Sequence, residues 1–202
     1  MAVAEAIGRR HPQEVQWDWV ETIGVIGRCL TEASGLADLI IVNRKLDGFP
    51  LPDMAAVAVE AILDSGELVL AVPEDCCGLN LAGEVLVAWD GSDCSTAALQ
   101  AAVPLMKLAS TVTIVEVEDG SIKTAAREAA TYLSHHGIKA IVRRMNPKGA
   151  KAGPVILGEL RRARADYLVM GGFGHSRFVE ALLGGVTWTM LNEAPVPVLL
   201  AH

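Results

Sequence analysis

The stretch that decides the fold is ADYLVMGGFGHSR, Ala165 to Arg177. Tyr167 to Met170 is an apolar run without polar alternation, which fits a strand buried on both faces. The run breaks at Gly171, Gly172 and Gly174, and a helix is predicted from Ser176 to Asn192. Gly171 and Gly174 have no β-carbon, so backbone N–H groups there can approach an anion closely. The helix that follows adds its own N-terminal N–H groups and the positive end of its dipole. Further on, Gly184-Gly185-Val186-Thr187 form a second weak point, which can fold back and bring more donors to the same anion.

Working outward, the same strand–turn–helix rhythm fills the chain from Gly83 to His202. Glu84 to Trp89 reads as a central strand, and Asp90-Gly91-Ser92 as a turn. Ser92 or Asp93 is placed to cap a helix running through Leu108, which Pro104 is expected to kink or split. Strands follow at Thr111–Val117, Lys139–Arg144, Tyr167–Met170 and Val196–Leu200. Helices are predicted over 122–135 and 154–164. Strands separated by helices imply right-handed crossovers and a parallel sheet. The fold class is therefore α/β, a doubly wound five-stranded parallel sheet of order 3-2-1-4-5. In such sheets a ligand sits at the carboxyl ends of the strands, near the switch between strands 1 and 4.

The first part of the chain repeats the second. Ala37-Asp38-Leu39-Ile40-Ile41-Val42 matches Ala165-Asp166-Tyr167-Leu168-Val169-Met170 at an offset of 128. Leu68-Val69-Leu70-Ala71 matches Pro197-Val198-Leu199-Leu200 at 129. A weaker match near 125 aligns the first twenty residues with a helix and the strand after it. We therefore expect an incomplete first half over 1–75, a linker over 76–82 and a complete domain over 83–202. The strands at Glu84 and Thr111 have no counterpart in the first half. A strand expected at Val15–Val20 is then left without a neighbour to join it to the rest.

Bulk composition narrows the function. The chain has 202 residues, 51% of them hydrophobic but only 4% aromatic, so the core is aliphatic. The net charge of -7 disfavours general nucleic-acid binding. Arg143-Arg144 and Arg161-Arg162 with Arg164 read as a solvated strand end and helix face. No apolar run approaches a membrane span, and the N-terminus lacks a secretory pattern, so a cytoplasmic location is expected. Cys29, Cys76, Cys77 and Cys94 form no CxxC pair, and Cys76-Cys77 read as reduced thiols in the linker.

The glycine pattern resembles the universal stress protein family, whose signature is G-x-x-G, nine residues, then G and Ser or Thr. Gly171-x-x-Gly174 and Gly184 fit, and Gly185 stands where nucleotide-binding members carry the hydroxyl. Asp90 in VAWDGS and the closing PVPVLLAH are further marks. The resemblance implies a flavodoxin-like fold and a site for ATP (with Mg) or AMP. It implies Asp90 against the nucleoside, Val117 along the adenine, Met170 under base or ribose, Gly171 and Gly174 on phosphate, and Val186 and Thr187 as further phosphate contacts. It also implies antiparallel pairing of last strands, either between chains of a homo-oligomer or, here, between Leu68–Val72 and Val196–Leu200 as an intramolecular pseudo-dimer.

Against these readings stand structural ones. The four glycines also suit tight turns and helix packing, and Asp90 also suits a helix cap. Gly185 lacks a hydroxyl whose hydrogen bond to phosphate is worth about 1.5–3 kcal/mol. Trp89 either stacks on a base or fills the pocket. His175 reads as a loop brace, Arg177 as a solvated cation, and Trp17, Trp19 and Trp188 as packing or interface residues. The first half carries NRKLDGFPLPD where the glycine loop belongs, so at most one nucleotide site is expected per chain. There is no nucleophile elbow, no Walker lysine and no Ser-Gly-Gly-x-Asp-Ser loop of adenylate-forming enzymes. A nucleotide-responsive binding protein fits better than a catalyst, with at most slow, incidental ATP hydrolysis. The alternative is an interaction module of the same family that binds no nucleotide.

Overall fold

A computed structural model describes residues 16, 18–44, 54–173 and 185–202. Among them the chain runs α1 (Ile26–Ala33), β1 (Ile40–Asn43), α2 (Met54–Asp64), β2 (Val69–Val72), β3 (Glu84–Trp89), α3 (Asp93–Met106) and β4 (Thr111–Val117). It continues with α4 (Ala126–His135), β5 (Ala140–Met145), α5 (Ala152–Ala163), β6 (Tyr167–Gly171), α6 (Val186–Glu193) and β7 (Val198–Ala201).

These strands form one sheet of order β1-β2-β7-β6-β3-β4-β5. The last five strands alone have the expected 3-2-1-4-5 order, all parallel. The sheet extends through one antiparallel pair, β2 with β7. Leu70 faces Leu199 there, and both are at most 3% exposed. These two residues are also repeat equivalents at an offset of 129, so a local pseudo-two-fold axis passes between them. The repeat is thus structural. Ile40 pairs Val69 in the first half, and Leu168 pairs Val198 in the second.

Side-chain alternation divides the core between the two faces of the sheet. On one face Leu86, Ala88, Val115 and Met170 meet Ile156, Leu157 and Leu160 of α5, Met190 and Leu191 of α6, and Ile62 of α2. On the other, Val85, Val87, Trp89, Ile114 and Val169 meet Leu99, Val103 and Met106 of α3 and Leu133 of α4. No described helix is long and apolar enough to cross a membrane.

Several expectations are corrected. Gln16 and Asp18 to Val20 are described and carry no strand, and Trp19 is 80% exposed, outside the core. With no neighbouring strand to pair with, an apolar segment has no ladder to join. Pro104 does not split its helix. It sits in the last turn of α3, which ends two residues later, so the lost N–H bond interrupts little. The predicted helix over 122–135 begins only at Ala126, where the Glu116 carboxylate accepts the Ala126 N–H at 2.6 Å. The arginines of β5 are not simply solvated. Arg144 pairs with Glu116 at 3.2 Å and Arg143 with Glu159 at 3.8 Å, and Arg162 of α5 meets Glu159 at 2.8 Å. Both glutamates are buried, and these cations compensate their charge.

Candidate functional site

At the carboxyl ends of β3, β4 and β6 lies a cavity of about 300 Å³. That is the small end of the range for small-molecule sites. Its floor is apolar: Ala88, Val115, Val117 and Met170 from the sheet, with Ala152 and Ile156 from α5 opposite. Asp90, Ser92, Asp119 and Ser121 supply polar groups, and Gly185, Val186 and Thr187 border it from the start of α6.

Local rules explain how each group is held. Asp90 follows β3 directly, and its Oδ1 accepts the N–H of Ser92 at 2.9 Å and its hydroxyl at 2.7 Å. Ser92 then caps α3, its Oγ accepting the Ser95 N–H at 3.2 Å. Ser92 rather than Asp93 is therefore the cap, and Asp90 fixes it from behind. Among the described residues only Oδ1 of Asp90 is engaged. Asp119 repeats the device after β4, with Oδ1 accepting from the backbone and hydroxyl of Ser121 at 3.0 and 2.6 Å.

The turn after β3 depends on Gly91, at φ +72°, where a β-carbon would lie 2.2 Å from the Thr124 nitrogen. At the end of β6, a β-carbon on Gly171 would lie 2.5 Å from the Ser95 nitrogen. Gly171 is thus required where the strand passes the first turn of α3, whatever the cavity holds. Trp89 projects to the opposite face of the sheet, where its Nε1 donates to the Thr124 carbonyl at 2.8 Å. It borders the cavity but does not fill it.

Helix α6 starts at Gly185, which provides no side-chain cap. α5 likewise has no side-chain cap at Lys151, and its first residue, Ala152, borders the same cavity. Two helices whose N-cap residues make no side-chain cap bond therefore meet one cavity, in contrast to α3, which Ser92 closes. Thr187 is 2% exposed, and its Oγ1 accepts the Phe173 N–H at 3.2 Å. That bond ties the segment after β6 to the first turn of α6.

Of the nine residues expected at a site, Asp90, Val117, Met170, Gly171, Gly185, Val186 and Thr187 line this one cavity. Gly174 and Gly184 lie outside the described residues, as do His175 and Arg177. Asp119, Ser121, Ile122, Ala152 and Ile156 also line it and were not singled out from sequence. The carboxyl-end rule would have found Asp119, two residues past β4; the α5 pair needed the packing of that helix across the sheet.

A model of the universal stress protein family matches residues 83–202. The chain belongs to the universal stress protein family. A search of curated protein sequences found no match. Among solved structures, a universal stress protein from Archaeoglobus fulgidus DSM 4304 is 22% identical, with a TM-score of 0.74 over 99% of this chain and 74% of that one. A putative universal stress protein from Pseudomonas aeruginosa UCBPP-PA14 is 17% identical, with a TM-score of 0.59 over 99% of this chain and 77% of that one. At these identities the likeness is one of fold, and it runs through both halves. A universal stress protein solved in complex with cAMP is 25% identical over 59% of this chain and 96% of its own, with a TM-score of 0.48.

Proposed function

We propose that this universal stress protein is a cytoplasmic regulatory protein that binds one adenine nucleotide, ATP or AMP, in the cavity between β3, β4, β6 and α5. The observation that carries the reading is the lining itself: an apolar slot bordered by the carboxylates of Asp90 and Asp119 and by the first residues of α5 and α6, whose N-cap residues make no side-chain cap bond. A purine fits between the sheet residues Ala88, Val115, Val117 and Met170 and the α5 residues Ala152 and Ile156. The free oxygen of Asp90 accepts from ribose hydroxyls. The N–H groups of Val186 and Thr187 and the positive end of α6 attract phosphate. Gly174 and Gly184 complete the phosphate loop by family resemblance.

The protein acts by binding. Among the described residues, the Oδ1 atoms of Asp90 and Asp119 each accept the backbone N–H and hydroxyl of a serine two residues on, so both carboxylates are engaged in turns. The second reading, an interaction module without nucleotide, is favoured by Gly185, which lacks the hydroxyl of nucleotide-binding members, and by the apolar β2–β7 contact within one chain.

Native mass spectrometry with ATP, with AMP and without addition separates the two. The expected result is one nucleotide per chain, abolished in Gly174→Asp. No increment at millimolar nucleotide rejects the binding reading and leaves the interaction module.

A further inference from the structure

Arg44 is the first residue after β1, in the half of the chain that lacks a glycine loop. Its side chain is almost wholly buried and reaches across into the second half. Nη1 donates to the carbonyls of Met190 at 2.6 Å and Leu191 at 2.9 Å, and Nη2 to that of Ala194 at 2.6 Å. Met190 and Leu191 lie in the last turn of α6 and Ala194 is its C-cap, where the dipole is negative; the Met190 carbonyl also accepts the Ala194 N–H at 3.1 Å. Among the described residues no carboxylate pairs with Arg44. Burial lowers its pKa to about 10, with Cys76 acting the other way, so it stays charged at neutral pH.

α6 has eight residues and is about 12 Å long. Its far end is the Gly185-Val186-Thr187 border of the cavity. So short a helix has little internal stability and takes its position from its anchors. Met190 and Leu191 pack its middle into the core, the Phe173–Thr187 bond ties it at the cavity end, and the guanidinium fork holds it at the other.

We infer that Arg44 is a positioning residue of the cavity: by holding the C-terminal carbonyls of α6, it fixes where the N–H groups of Val186 and Thr187 stand. Where ligand affinity is concerned this rests on the nucleotide reading; where the helix is concerned it rests on the geometry alone. The first half of the chain is then part of the site's scaffold.

The test uses the full chain with Arg44→Met and Arg44→Lys, and Leu133→Ala in α4 as a comparably destabilised control. Amide hydrogen exchange and ATP affinity are measured well below each melting temperature. In Arg44→Met, amides from Thr189 to Ala194 should exchange about tenfold faster than the same amides in the comparably destabilised Leu133→Ala, and ATP affinity should fall about tenfold from wild type. Arg44→Lys should fall between, because one ammonium cannot span three carbonyls as the fork does. Leu133→Ala should lose stability and keep its affinity. Should Arg44→Met fail to fold, Arg44→Lys carries the same two measurements. Exchange in α6 no faster than in Leu133→Ala, or faster exchange with affinity within about twofold of wild type, overturns the inference. If the wild type shows no saturable ATP binding, the nucleotide reading falls, and exchange in α6 still decides whether Arg44 sets the cavity wall.

Discussion

The ends of β1 and β6 occupy equivalent places in the repeat and do opposite things. β6 ends at Gly171 with Gly172 next, and the chain passes so close to α3 that no side chain fits at Gly171. A cavity opens beside it. β1 ends at Asn43 with Arg44 next, and the long arginine side chain spans to the last helix of the other half. The equivalent position in the repeat thus borders a cavity where it is stripped to glycine and acts as a clamp where it carries arginine. One half has kept a cavity, and the other supports it.

The largest effect expected from breaking this contrast is at Gly171. Gly171→Ala sets a β-carbon against the backbone of Cys94 and Ser95 and should cost about 3 kcal/mol or more, read as a lower urea midpoint. A variant of wild-type stability would refute the close approach. On the clamp side, Arg44→Met strips three carbonyls of charged donors and should cost about 3 kcal/mol in the same measurement. Thr187→Val comes next. It leaves the Phe173 N–H without its acceptor and should cost about 1–2 kcal/mol by chemical denaturation.

The smallest change sharpens the comparison at the start of the two strands, where Leu39 in one half matches Tyr167 in the other. The Tyr167 hydroxyl is buried and has no partner among the described residues. Tyr167→Phe should be neutral or stabilising by up to about 1 kcal/mol. Burial raises the Tyr167 pKa from 10.0 to about 12, so the folded state keeps the proton longer than the unfolded one. Its contribution to stability is fully present below pH 10 and is lost as pH rises from there through about 12. Urea titrations across that window should show this loss in the wild type and not in Tyr167→Phe.

Much of this was legible in sequence because it is local or periodic. Apolar runs gave the strands. The two offsets recur in the pairings of Ile40 with Val69 and Leu168 with Val198. The glycine pattern and Asp90 pointed to the cavity that seven of the expected residues line. Other features depend on distant partners. Arg44 reads as an ordinary loop cation until the end of α6, some 146 residues on, is brought beside it. Trp89 was ambiguous because strand alternation decides its face, and that face lies away from the cavity. Val15–Val20 looked like a strand because propensity does not say whether a neighbour exists to pair with it.

The central claim is that one half of this protein binds and the other half braces. A titration of ¹⁵N-labelled protein with ATP, followed by amide chemical shifts, tests it most directly. The account predicts one saturable site per chain, with shifts centred on Ala88 to Asp90, Met170 to Gly171 and Val186 to Thr187, and none centred on Ile40 to Asn43. Shifts centred on the end of β1, or no saturable shifts at millimolar ATP, would contradict it.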